Sequence, residues 1–177
     1  MKKLYLAVLE SMENEENIAL FTEEGLTPPV FIDLYDSQPE MPDQFEFMCP
    51  ALFLDYSVVW GKNGSQRIGT LTLEAHVLTD ATPSTANISA RLPKGLDKIN
   101  YYETVADVLE GIATEETSGL VLSGERPVST DYFNYHMLIF TCTISRKIKR
   151  TRKYASGTIE AIPIDGNIKQ RLNFDID

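Results

Sequence analysis

From Lys98 to Ala113 the chain reads Lys-Ile-Asn-Tyr-Tyr-Glu-Thr-Val-Ala-Asp-Val-Leu-Glu-Gly-Ile-Ala; from Gly119 to Val128, Gly-Leu-Val-Leu-Ser-Gly-Glu-Arg-Pro-Val; and from Asn134 to Ile148, Asn-Tyr-His-Met-Leu-Ile-Phe-Thr-Cys-Thr-Ile-Ser-Arg-Lys-Ile. In the first run Ile99, Tyr102, Val105, Ala106, Leu109 and Ile112 fall on one stripe at helical spacing, and Asp97 or Asn100 is placed to cap it. In the second, Gly119 opens a strand, Leu120-Val121-Leu122. Pro127 lacks a backbone N–H, which confines the rest of that run to a sheet edge or an interruption. The third run is β-branched and aromatic from Tyr135 to Ile148. Phe140, Cys142 and Ile144 alternate there with Thr141, Thr143 and Ser145, the pattern of a strand with one buried face.

Working back toward the N-terminus, Ala51 to Trp60 alternates with Leu52, Leu54, Tyr56, Val58 and Trp60 on one face. Gly61-Lys62-Asn63-Gly64-Ser65 supplies a turn in which Asn63-Gly64 is comfortable at positive φ. Gln66 to Thr79 answers with Leu71, Leu73, Ala75 and Val77 inward and Thr70, Thr72, Glu74 and His76 outward, so the pair is predicted as an antiparallel hairpin. Ahead of it, Leu4, Val8, Leu9 and Met12 predict a first helix over about Lys3 to Glu16, or on to Phe21. Gly25 and Pro28-Pro29 stop that helix, Val30 to Tyr35 alternates as a short strand, and Asp36 to Pro50 is a loop. Asp80 to Asp97 has no clear period and reads as a connection with a helical turn around Ile88 to Leu92.

The order helix, strand, hairpin, helix, hairpin predicts an α+β fold: a mainly antiparallel sheet with two helices packed on one face. A single domain over 1–148 accounts for this. Residues 149–177 show strand-like alternation but too little apolar content for a core, and read as an extended C-terminal arm that packs on its own domain or on a neighbouring subunit.

The composition narrows function. A net charge of −10 over 177 residues argues against a general affinity for nucleic-acid backbone, which is bound by Lys and Arg neutralising phosphates. Between Glu10 and Glu46 there are nine further Asp or Glu and no Lys or Arg, whereas Arg146, Lys147, Lys149, Arg150, Arg152 and Lys153 crowd together. Such separation fits either two solvated faces or a subunit that meets a complementary surface on a neighbour. Cys49 and Cys142 lie far apart without metal-binding spacing, the usage of two buried thiols in a reducing compartment. The opening Met-Lys-Lys-Leu-Tyr-Leu-Ala-Val-Leu-Glu breaks its apolar run at Glu10, so it reads as a helix rather than a leader, and no stretch approaches a membrane span.

Groups capable of chemistry are sparse. His76 and His136 each sit within a strand, a setting more often structural than catalytic. Asp55 lies inside an apolar strand and is expected to face solvent or to pair with Arg67 across the hairpin. No phosphate-cradling glycine loop precedes a helix. These residues point to no enzyme, and no cofactor or metal is expected. Asp131-Tyr132-Phe133-Asn134-Tyr135 is the most aromatic segment, suited to packing under its own sheet or to an oligomer contact, with a ligand patch as the alternative.

Pro50-Ala51-Leu52-Phe53-Leu54-Asp55-Tyr56, Gln66 to Leu78 with Gly69, Tyr102 to Ile112, and Asp131 to Ile148 together resemble the tail-terminator, or tail-completion, family of long-tailed bacteriophages and related prophages. The likeness lies in element order, a strand ending in an acidic step, Gln-x-x-Gly at the head of the next strand and an Asp before the last. It spans residues 1–148. The Asp36 to Pro50 loop and the arm exceed the minimal fold, which leaves room for a related neck or connector subunit.

The resemblance implies a structural virion subunit without turnover, assembled in the host cytoplasm and residing in the tail or neck. It implies a homo-hexameric ring that caps the tail tube protein, joins it to a head-side connector or stopper, and passes DNA through its lumen without sequence-specific binding, away from any membrane. The candidate subunit-interface residues are Arg146, Lys147, Lys149, Arg150, Arg152 and Lys153 with Tyr132 and Phe133. Arg150 and Arg152 are also the candidate DNA contacts of a connector-like alternative.

Overall fold

The computed structural model describes residues 1–63 and 66–147, so the arm from 149 to 177, with Lys149, Arg150, Arg152 and Lys153, lies outside the described residues. Helices α1 (Lys2–Glu13) and α2 (Glu15–Glu23) come first, followed by strand β1 (Phe31–Leu34) and a 3-10 turn at Gln38–Glu40. Strands β2 (Ala51–Asn63) and β3 (Gln66–Thr79) form the long hairpin; helix α3 (Leu92–Leu109) and strands β4 (Val121–Val128) and β5 (Asn134–Lys147) complete the fold. The sheet order is β1-β2-β3-β5-β4, antiparallel throughout except for the parallel pair β1 and β2.

The α+β architecture with helices on one face is as expected, but the described residues hold three helices rather than two. Asn14 divides the first: its backbone is extended at ψ 133°, and its side chain accepts hydrogen bonds from the N–H groups of Glu16 (2.8 Å) and Asn17 (3.4 Å). It is therefore the N-cap of α2, with Glu15 and Glu16 favourably placed against the helix dipole. Helix α3 also starts earlier than predicted, at Leu92-Pro93, and neither Asp97 nor Asn100 caps it. Proline is well placed in a first turn because its missing N–H has no intrahelical partner there. Ile99 is exposed, and Ile112 falls beyond the helix, after Gly111 at φ +78°. The buried side of α3 is Tyr101, Tyr102, Val105, Ala106, Val108 and Leu109.

Two hydrophobic clusters lie on opposite faces of the sheet. Leu4, Val8, Met12 and Phe21 join the α3 stripe over Leu52, Leu54, Leu71, Leu73, Ala75, Val77, Leu138, Phe140, Cys142 and Ile144. Behind the sheet, Ala51, Phe53, Leu78 and Tyr135 pack with Phe31, Tyr35, Phe47, Cys49 and Phe133. The loop from Asp36 to Pro50 thus works as a strap over the second face. The expected edge position of Pro127 is met: β4 borders the sheet and carries a register shift between Leu122 and Gly124. Proline and bulge together blunt that edge against further pairing.

Candidate assembly surface

Among the described residues, helices and strap cover one end of the sheet and leave the other without cover. The last residues of β2, the first of β3 and the last of β5 form a tip whose second face is open: Asp55, Ser57, Val59, Ile68, Thr70, Thr143 and Ser145 are all exposed. On the other face Trp60, 39% exposed, lies beside Gly69. A Cβ at Gly69 would stand 2.6 Å from the carbonyl oxygen of Val59 and 3.1 Å from the Trp60 ring. Glycine there lets the indole lie close on the strand, with the Arg146 guanidinium 5.9 Å from its centroid in a cation–π contact.

Register makes the tip basic. Arg67 on β3 stands directly opposite Arg146 on β5, with Lys147 in the next row, and Lys62 holds the backbone register position facing Arg67 on β2. Like charges directly opposed on a sheet repel. The row borders a cleft of about 820 Å³ lined by Gln66, Arg67, Glu115, Glu116, Ser145, Arg146 and Lys147. Partial compensation comes from within: Arg146 approaches Glu116 at 3.9 Å, and Glu115 pairs with Lys3 at the start of α1. Of the candidate interface residues, Arg146 and Lys147 thus lie together on an exposed tip, and Arg146 is already engaged in its own chain.

Asp55 does not pair with Arg67. It stands opposite Glu74, and its carboxylate accepts a hydrogen bond from the Tyr56 N–H at 2.7 Å. Of the two settings expected for it, Asp55 takes the solvent-facing one, because Arg67 lies near the turn of the hairpin and out of its register. Arg67 joins the basic surface without having been expected there.

The aromatic segment divides in two. Phe133 packs inward, its ring 5.4 Å from Phe47, whereas Tyr132 is 60% exposed. Only Tyr132 is therefore presented as an interface candidate. Asn134 ties the segment to the preceding connection, donating to the carbonyl of Asp80 and to Thr79 and Thr82.

The candidate catalytic groups do not all converge: Asp55 and His76 share one face of the sheet, and His136 lies on the other. His76, expected to face outward, is buried beneath the strap, stacked on Tyr35 with centroids 4.1 Å apart and hydrogen-bonded through Nδ1 to Tyr135 Oη. Tyr35 Oη in turn donates to Glu40 at 2.9 Å. Burial outweighs the pull of Asp55 and Glu40 and lowers the His76 pKa from 6.5 to about 4, so the ring is neutral. His136 projects from the opposite face, stacked on Tyr102 at 4.4 Å with Nε2 3.2 Å from Glu125. Burial, then Asp80, pushes the Cys49 thiol up to about 12, which leaves it a weak nucleophile at neutral pH. Both cysteines are free, on opposite faces of the sheet. Among the described residues no cluster of three or more His, Cys, Asp or Glu could hold a metal ion, and no helix is long and apolar enough to cross a membrane.

No protein-family model matches the sequence, and no curated protein matches it either. The fold does match a chain in the solved structure described as "Virion of native gene transfer agent (GTA) particle", with a TM-score of 0.52 at 12% identity, over 80% of this chain and 94% of that one. At that identity the likeness is one of fold: a sheet with helices on one face, shared across nearly the whole neighbour.

Proposed function

We propose that the protein is a structural subunit of a phage-like virion, and within it a tail-terminator subunit: a ring, hexameric in the resemblance, that caps the tail tube, meets the head-side connector and conducts DNA through its lumen. The observation that carries this reading is the fold match to a chain of a gene transfer agent virion, which covers 94% of that chain. The exposed, charge-segregated tip adds to it, because a ring subunit needs two different surfaces that meet each other around an axis. The role is one of binding without turnover, consistent with the burial of a neutral His76 on one face of the sheet and the placement of His136 on the other.

The test is to incubate purified full-length protein with tail tubes lacking their head-proximal ring and to image them. A ring density at one end of each tube, and restored joining to heads, is the expected result. Tubes that remain bare, with heads that still join them, would sink it. The second reading, a neck adaptor that contacts DNA, has the basic row in its favour. It predicts salt-dependent retention on duplex DNA.

A further inference from the structure

We propose that the cation row at the sheet tip receives the acidic corner between α1 and α2 of a second copy, so that the chain associates head to tail. The pair is electrostatically unfavourable inside one chain: Arg67 and Arg146 stand directly opposed in register, and among the described residues Glu116, 3.9 Å from Arg146, is the carboxylate that answers them. An ordinary solvated sheet gains nothing from opposing two like charges. A contact that inserts carboxylates into the cleft beside Arg67, Arg146 and Lys147 removes that repulsion.

The chain carries a matching group. At the corner, Glu13, Asn14, Glu15 and Glu16 are all exposed. Glu13 ends α1, where the helix dipole disfavours an acid, and no basic residue lies in that last turn. Its placement does not serve its own helix, and a cationic partner would reverse the cost.

Geometry prevents the corner from reaching its own cleft. Lys3 pairs with Glu115 at the cleft's rim, which sets the first turn of α1 there. Asn14 lies at the far end of the helix, about 16 Å away at ~1.5 Å per residue. The two surfaces therefore occupy opposite ends of one element and can meet only between copies. Such a contact is heterologous and propagates until it closes as a ring or runs on as a filament.

The inference deepens the proposed function, resting on it for ring closure, but the contact is tested without a tail tube. Two variants of the full chain are made, Arg67→Glu with Arg146→Glu, and Glu15→Arg with Glu16→Arg, and self-association is followed by sedimentation up to millimolar concentration. Each variant alone is expected to associate about 100-fold more weakly than the parent. An equimolar mixture of the two recovers association, because each reversed cleft then meets a reversed corner, and each native cleft a native one. Circular dichroism confirms that both variants fold. A parent that stays monomeric, variants that associate as the parent does, or a mixture that fails to recover would each overturn the contact while leaving tube capping to its own test. Retention of the parent on duplex DNA, lost in the Arg67→Glu and Arg146→Glu variant, would assign the row to DNA instead.

Discussion

The base of the sheet and its tip are built from the same three strands and answer to different demands. At the base, Phe53, Leu73, Ala75, Val77, Leu138 and Phe140 are at most 2% exposed, with helices on one face and the strap on the other. At the tip, the same strands carry Trp60, Arg67, Ile68 and Arg146 into solvent. Strand propensity alone would let β2, β3 and β5 stop where their cover stops. They instead continue over 13 or 14 residues each and carry Arg67 and Arg146, directly opposed, beyond that cover.

The largest effect is expected at the base. Phe140 is fully buried in β5, paired with Leu73 on one side and Leu122 on the other. Phe140→Ala removes its packing and leaves a cavity between sheet and helices, costing about 3–5 kcal/mol in urea unfolding. A cost below about 1 kcal/mol would mean that the base is not the folding core.

Next comes the acid response of the strap. The His76 ring has an ordinary pKa of 6.5, lowered in the folded chain to about 4 by burial, with Asp55 and Glu40 opposing and Arg126 assisting. Above pH 6.5 both states are neutral and the contribution is intact. Between pH 6.5 and 4 the unfolded chain takes up the proton and the folded chain does not, so stability drains by about 3 kcal/mol. His76→Gln keeps a partner for Tyr135 and is expected to flatten that slope in urea midpoints measured from pH 7.5 to 4.5. An unchanged slope would place the acid sensitivity elsewhere.

Legibility in the sequence obeys the same division. Strands β2, β3 and β5 announce themselves because each buries alternate residues, and α3 because its stripe packs on them. The burial of His76 is not legible: Thr70, Thr72 and Glu74 share its face, and the cover that makes it different comes from a loop remote in sequence. The break at Asn14 is written locally, as a capping residue followed by two acids, yet the same residues also suit the polar end of a single helix. The opposition of Arg67 and Arg146 arises only through the β3–β5 register, which no local signal specifies.

Gly69 marks the passage from base to tip. An added Cβ would press on the Val59 carbonyl at 2.6 Å and on the Trp60 ring, so Gly69→Ala is expected to cost about 1–3 kcal/mol and to free the indole. Faster hydrogen exchange confined to the tip amides, with the base unchanged, is the signature to look for. Exchange accelerated equally at both ends would show that the tip has no independent stability.

The smallest effect on folding, and the most telling for the tip, is expected at Arg67. Its neighbour on β5, Arg146, is a cation, and Arg67 is exposed, so Arg67→Thr removes repulsion and leaves a β-branched residue suited to a strand. Stability should change by no more than about 0.5 kcal/mol, toward the folded state at low salt, with the difference vanishing as salt screens the row. An arginine that served the fold would behave oppositely, its loss costing more than about 1 kcal/mol at any salt concentration. If urea midpoints at low and high salt show that loss, the cations belong to the architecture of the sheet and the tip is simply its end. If they show the small, salt-dependent gain, Arg67 is retained at a cost to its own chain, and the benefit has to be sought in what the tip touches.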